Sequence, residues 1–221
     1  MSITIGALSK RIRGVEVLKD VSLCIGSGQV VGFAGPNGSG KTMLMRCIAG
    51  LVAPSSGTIE IDGRPLGRDF AFPPSIGMLI EGPAFLAGRS GFDNLRLLAS
   101  IRDVANEGEI RRAIESVGLE PDDKRPVRKY SLGMKQRLGI AAAVFERPDI
   151  VVLDEPTNAL DSSGVEMTKR VVAAQKARGA TVVLSCHDSL TLRAMADEIY
   201  YFAEGHMDGH EVLDVGGDQF D

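Results

Sequence analysis

The sequence predicts an α/β fold: a parallel sheet carrying a phosphate-binding loop, an antiparallel β portion ahead of it, and a helical subdomain inserted within it. Three observations carry that prediction. An apolar β-type run, Val30 to Ala34, leads into the glycine-rich stretch Gly35-Pro36-Asn37-Gly38-Ser39-Gly40-Lys41-Thr42, and helix-forming residues follow. Two later apolar runs, Asp149–Asp154 and Ala180–Ser185, have the character of strands buried on both faces. Between the glycine-rich stretch and those runs, from about residue 85 to residue 145, helical periodicity dominates.

In chain order, residues 3–8 and 15–25 alternate loosely between apolar and polar, with turn signals at Arg13-Gly14 and Gly26-Ser27-Gly28. They read as antiparallel strands feeding the phosphate-loop strand. The loop fits G-x-x-x-x-G-K-[ST] at every fixed position, in the strand–loop–helix context that gives the pattern its meaning. Its glycines let backbone N–H groups turn toward anionic oxygens, and the helix adds its positive end. Lys41 then reaches the β- and γ-phosphates of a nucleoside triphosphate, and the Thr42 hydroxyl ligates Mg²⁺.

Pro54–Gly57 is a turn, and Thr58–Gly63 a short strand closed by Asp-Gly. Ile76–Ile80 is a further apolar run, followed by a loop around Glu81-Gly82-Pro83. Asp93–Arg102 places Leu95, Leu98, Ala99 and Arg102 near one helix face, and Glu107–Val117 repeats the style until Gly118 stops it. Tyr130–Arg137 opens a third helix, with Ser131 as its N-cap and Gly133 leaving the backbone open, a candidate anion site. The neighbouring Lys124, Arg125, Arg128, Lys129 and Lys135 read as a solvated charged face. The strand at 149–154 precedes a helix at Ser162–Ala177, ended by Arg178-Gly179, and the strand at 180–185 runs into Cys186-His187-Asp188.

Sheets of this kind bind ligands past the C-terminal ends of their strands, so Gly35, Asp154 and His187 are expected to converge on one crevice. Asp154 is a candidate Mg²⁺ ligand, Glu155 a candidate general base that orients the attacking water, and His187 a candidate γ-phosphate contact. His206 and His210 read as ordinary hydrogen-bonding residues. A formal net charge of −4 excludes a polyanion-binding surface over the whole molecule. Cys24, Cys47 and Cys186 lack C-x-x-C spacing and are expected as reduced, buried thiols rather than metal ligands. The longest apolar stretches, such as Leu138–Phe145, fall far short of the roughly 20 residues that span a bilayer, and the N-terminus lacks the pattern of a signal peptide. The chain reads as a single domain, 1–221, with the helical subdomain at about 85–145.

Five elements taken together, GPNGSGKT at 35–42, YSLGMKQR at 130–137, IVVLDEP at 150–156, NALD at 158–161 and His187 after a strand, resemble the nucleotide-binding subunits of ATP-binding cassette (ABC) transporters. The resemblance covers essentially the whole chain. IGMLIEGPAF at 76–85 with YSLGMKQR is similar to the branch handling peptide antibiotics and related drugs, the bacitracin- and lantibiotic-type exporters and immunity systems. It implies a phosphate-loop core of ABC ATPase type and a head-to-tail dimer with two ATP molecules sandwiched between subunits. Ser131 and Gly133 of one subunit would bind the γ-phosphate held by the other, and Asp161 would lie at the dimer seam. It also implies Mg²⁺-dependent ATP hydrolysis, a transmembrane permease gripped by the helical insertion and the Glu81 loop, and a location on the inner face of the membrane, in the cytoplasm. No nucleic acid partner is expected.

Three departures from the family pattern stand out. Glu81 occupies the place of a Gln that approaches Mg²⁺ and the attacking water, so it joins Thr42 and Asp154 as a candidate metal ligand. Ile12 takes the place of an aromatic that stacks on adenine, which implies weak base discrimination. Leu132 and Met134 replace the usual second Gly and Gln of the signature, while Ser131 and Gly133 remain. Two other classes compete: an ABC-type ATPase acting on ribosomes or DNA, and a phosphate-loop kinase, which has no use for the 130–137 signature.

Overall fold

The computed structural model describes residues 1–213; residues 214–221 of the predicted domain lie outside the described residues. The chain begins with a long hairpin, β1 (Ile3–Ile12) and β2 (Val15–Ile25), paired antiparallel and turned at Arg13-Gly14. Then come β3 (Val30–Ala34) and α1 (Lys41–Ile48). The pair β4 (Ser56–Ile61) and β5 (Arg64–Pro65) completes a four-stranded sheet in the order β2-β1-β4-β5, the predicted antiparallel portion.

The second sheet holds β6 (Ile76–Leu79), β7 (Ile150–Leu153) and β8 (Thr181–Ser185), all parallel to β3. Three elements not assigned from the sequence follow Asp188: a short helix, then β9 (Glu198–Ala203) parallel to β3, then β10 (His206–Val212) antiparallel to β9. The order is β10-β9-β3-β8-β7-β6. Between β6 and β7 stand the predicted helices, α2 (Gly91–Arg102), α3 (Glu107–Ser116) and α4 (Leu132–Val144), with α5 (Ser162–Ala177) between β7 and β8.

The central strands are fully buried because both of their faces are covered. Ile150 and Val152 join the core that lies against α1 and the antiparallel sheet, whereas Val151 and Leu153 join the core of α4 and α5. Val182 and Leu184 against Val183 repeat the alternation. Each such side chain contributes about 1.5–3 kcal/mol by leaving water. Each of α2, α3 and α4 has a polar N-cap: Ser90 accepts from the Asp93 amide, Asn106 forms a capping box with Glu109, and Ser131 accepts from the Met134 amide.

Leu95 and Ala99 are buried on α2, with Leu98 and Arg102 exposed at the edge of that face, Arg102 pairing with Glu146. One expectation needs correction. Cys47 and Cys186 are buried thiols, yet Cys24 is exposed, because alternation along β2 points Val21, Leu23 and Ile25 inward and leaves Ser22 and Cys24 outward.

Candidate functional site

Beyond β3 the chain turns through Gly35 with φ +141°, where a β-carbon would sit 2.1 Å from the Phe202 carbonyl oxygen on β9; no other residue fits. The turn after β9 packs against the loop from behind, with the Gly205 amide donating to the Ser39 carbonyl at 3.1 Å. Gly40, at φ +108°, is the N-cap of α1 and offers no capping side chain, and the first turn of α1 holds no acidic residue. The first amides of that helix therefore face outward without an internal acceptor, and the helix end is electropositive. Ser39 Oγ is buried with no hydrogen-bond partner among the described residues. An uncapped helix start, a glycine cradle and an orphaned buried hydroxyl fit a bound phosphate chain.

Lys41 is almost wholly buried, and its Nζ donates to the carbonyls of Gly35 at 2.7 Å and Pro36 at 3.0 Å. Burial lowers its pKa below the ordinary lysine value, while Glu155 and Asp154 work in the opposite direction. Thr42, on the next position of α1, donates its hydroxyl to Asp154 Oδ2 at 2.7 Å. The other Asp154 oxygen accepts from the Ser185 hydroxyl at 2.7 Å, and that hydroxyl accepts from the Glu155 amide at 3.0 Å. Two hard oxygen donors side by side, one of them anionic, suit Mg²⁺.

Glu155 adopts a left-handed backbone, φ +50°, and its Oε2 accepts from the His187 amide at 3.0 Å. The His187 ring nitrogen Nε2 lies 3.6 Å from its Oε1. Gln136 of α4 donates to the carbonyls of Glu155 and Pro156, which fixes the turn from the other side. Ser39, Gly40, Lys41, Thr42, Asp154, Glu155 and His187 line a cavity of about 310 Å³ that also takes in Asn37, Gly38, Val17, Arg46 and Glu81, with Gly35, Ser185 and Gln136 behind its wall. Glu81 carries φ +62° and pairs with Arg46. Ile12 does not line the cavity; it stands partly exposed at the end of β1, and Val17 supplies the wall nearest that hairpin.

The remaining candidates lie elsewhere. Ser131 is exposed at the start of α4, and Gly133 faces the Ala159 carbonyl oxygen, 3.1 Å from where its β-carbon would be. Asp161 caps α5 through the Gly164 amide and reaches Arg137. Hydrogen bonds from the Ser163 hydroxyl and the Gly164 amide hold its carboxyl below the usual aspartate range. None of the three lines the cavity.

Sequence reasoning missed Ser185, Gln136, Arg46 and the β9–β10 turn. Ser185 had a readable signal: it is the polar end of an apolar strand, one residue past Leu184, which registers with Leu153. His210 is an ordinary hydrogen-bonding residue as expected, stacked on Tyr200 and bonded to Glu198. Among the described residues no helix is long and apolar enough to cross a membrane.

Comparison with known proteins places residues 18–158 within the ABC transporter family. The chain is 41% identical to the uncharacterized ABC transporter ATP-binding protein YybJ of Bacillus subtilis (strain 168), over 93% of this chain and 94% of the relative. It is 37% identical to the lantibiotic transport ATP-binding protein SrtF of Streptococcus pyogenes, over 90% of this chain and 88% of the relative. Among solved structures it resembles the dimeric structure of MJ0796, a bacterial ABC transporter cassette, at a TM-score of 0.88 and 25% identity, covering 96% of this chain and 98% of that one.

Proposed function

The chain belongs to the ABC transporter family as an ABC-type ATPase that binds ATP, and from that premise we propose that it powers export of a peptide antibiotic, drug or similar substrate through a separate membrane permease. The observation that carries the catalytic part is the buried Thr42–Asp154–Ser185 chain beside the phosphate loop, with Glu155 held one residue further on. The lantibiotic transport name of one relative supports the substrate class.

In this reading the amides of residues 35–42 cradle the phosphates, with Gly35, Pro36, Asn37, Gly38, Ser39 and Gly40 shaping the loop. Lys41 leaves the carbonyls it now holds and meets the γ-phosphate charge. Thr42 and Asp154 hold Mg²⁺, with Glu81 at the edge of the same crevice. When bound, the metal neutralises phosphate charge and polarises the bond that breaks. Glu155 orients the attacking water and accepts its proton, and His187, beside it, contacts the γ-phosphate.

Ser131 and Gly133 complete the site of a second subunit across a seam that includes Asp161; the dimeric neighbour supports this pairing. The whole chain, 1–221, acts as one nucleotide-binding domain with its helical subdomain at about 85–145, peripheral on the inner face of the membrane. The test is capture of tagged Glu155→Gln protein from detergent-solubilised membranes with ATP and Mg²⁺. Recovery of a polytopic membrane protein is expected; recovery of ribosomal or DNA-associated proteins instead would overturn the transport reading.

A further inference from the structure

We infer that Arg46 is a positioning residue of the nucleotide crevice: it neutralises Glu81, so that a carboxylate can stand beside a triphosphate without repelling it. The inference rests on the ATP-binding reading of that crevice. Arg46 lies on the same face of α1 as Thr42, four residues after it, the residue whose hydroxyl meets Asp154 being Thr42. Both Arg46 and Glu81 line the cavity, and they are paired.

The charges around the cavity show why this pairing matters. Its walls carry three carboxylates, Glu81, Asp154 and Glu155, against two permanent cations, Lys41 and Arg46. Asp154 is satisfied by two hydroxyls, and Glu155 by the His187 amide. Glu81 has no such hydroxyl or amide among its described contacts; Arg46 is what meets it. Without Arg46, one cation would face three carboxylates in the space where a polyanion must settle.

A role in folding does not account for the pair. The Glu81 side chain is 61% exposed, and so exposed an ion pair contributes little to stability. The ligand, rather than the fold, should feel its loss.

The experiment is equilibrium titration with ATP, with and without Mg²⁺, which reads binding independently of turnover. Arg46→Met is expected to weaken ATP binding about tenfold, as an unscreened charge several ångströms from a phosphate chain would. The loss should shrink at high salt, and Arg46→Lys should keep most of the affinity. Adding Glu81→Gln to Arg46→Met should restore binding to near the level of the unmodified protein, because the repelling charge is gone. Undiminished binding by Arg46→Met would overturn the inference, as would a loss that Glu81→Gln does not relieve. Unmodified protein that bound no ATP would overturn the nucleotide reading as well.

Discussion

Around Asp154 the polar groups are mostly sealed from water and bonded to one another at the floor of the crevice, whereas around Ser131 they stand in the open. Asp154 and Ser185 are buried, and each of their bonds runs between different elements: α1 to β7, and β7 to β8. Ser131 is exposed, and its side chain is spent on capping its own helix. A buried polar cluster is costly unless every member is satisfied, so the first region is assembled by folding itself. The second is a helix start whose free amides gain a partner only when an anion is brought to it. One chain thus holds a nearly complete site and, in the proposed reading, the complement of another on a separate surface.

The sharpest way to break this comparison is to change the open region without touching the sealed one. Ser131→Asp keeps an N-cap, so the fold should persist, but it sets a negative charge where a partner's γ-phosphate would arrive. Turnover should fall about 100-fold or more, the scale on which transition-state donors act. Binding of ATP to the isolated subunit, read by titration, should change less than about twofold, since Ser131 does not line the cavity. Equal loss of binding and turnover would show that the two regions are not separate.

The converse change is Ser185→Ala, which touches only the sealed region. It leaves one Asp154 oxygen and the Glu155 amide without their partner. Each buried group left unsatisfied costs roughly 1–3 kcal/mol. A domain of this size loses about 2–4 °C of melting temperature per kcal/mol, so a drop of several degrees is expected in a thermal melt. An unchanged melting temperature would mean that water replaces the hydroxyl and that the region is not sealed.

Legibility followed the same division. The strands, the loop and the acids of the sealed region were readable because buried strands need continuous apolar runs and phosphate cradles need glycines at fixed spacing. The wiring was not. That Ser185 bridges Asp154 and Glu155 depends on strand register between β7 and β8, which single-residue patterns do not encode. Gly35 was legible as a loop glycine, but its reason, the Phe202 carbonyl packed against it, lies on a strand the sequence pattern left unassigned. Ser131 was legible as a cap and as part of a signature, and the structure shows only the cap, because the phosphate proposed to meet it would come with a second chain. Arg46 passed as an ordinary helix residue, because its partner Glu81 is distant in sequence and meets it only once the chain past β6 folds back to α1.

The thiols offer the smallest and most local test of the same contrast. Cys47 lies within α1, and burial pushes its thiol from the ordinary 9.0 up to about 11, with Lys10 pulling weakly the other way. Cys186, beside His187, is raised for the same reason, whereas Cys24 is exposed on β2. At pH 8 a thiol reagent should modify Cys24 in the folded protein and reach the other two only on unfolding, because attack requires an accessible thiolate. The Cys47 shift also has a definite sign. Its contribution to stability is complete below about pH 9 and is lost as the pH rises toward 11, since the unfolded chain releases that proton first. Cys47→Ala should therefore flatten the alkaline slope of a denaturation series while leaving the slope across the neutral range unchanged, apart from the uniform loss expected of a smaller core side chain. Labelling of Cys47 as fast as Cys24 would mean that α1 opens readily, and that the phosphate loop ahead of it is less firmly held than the bonds from Gly205 and Asp154 imply.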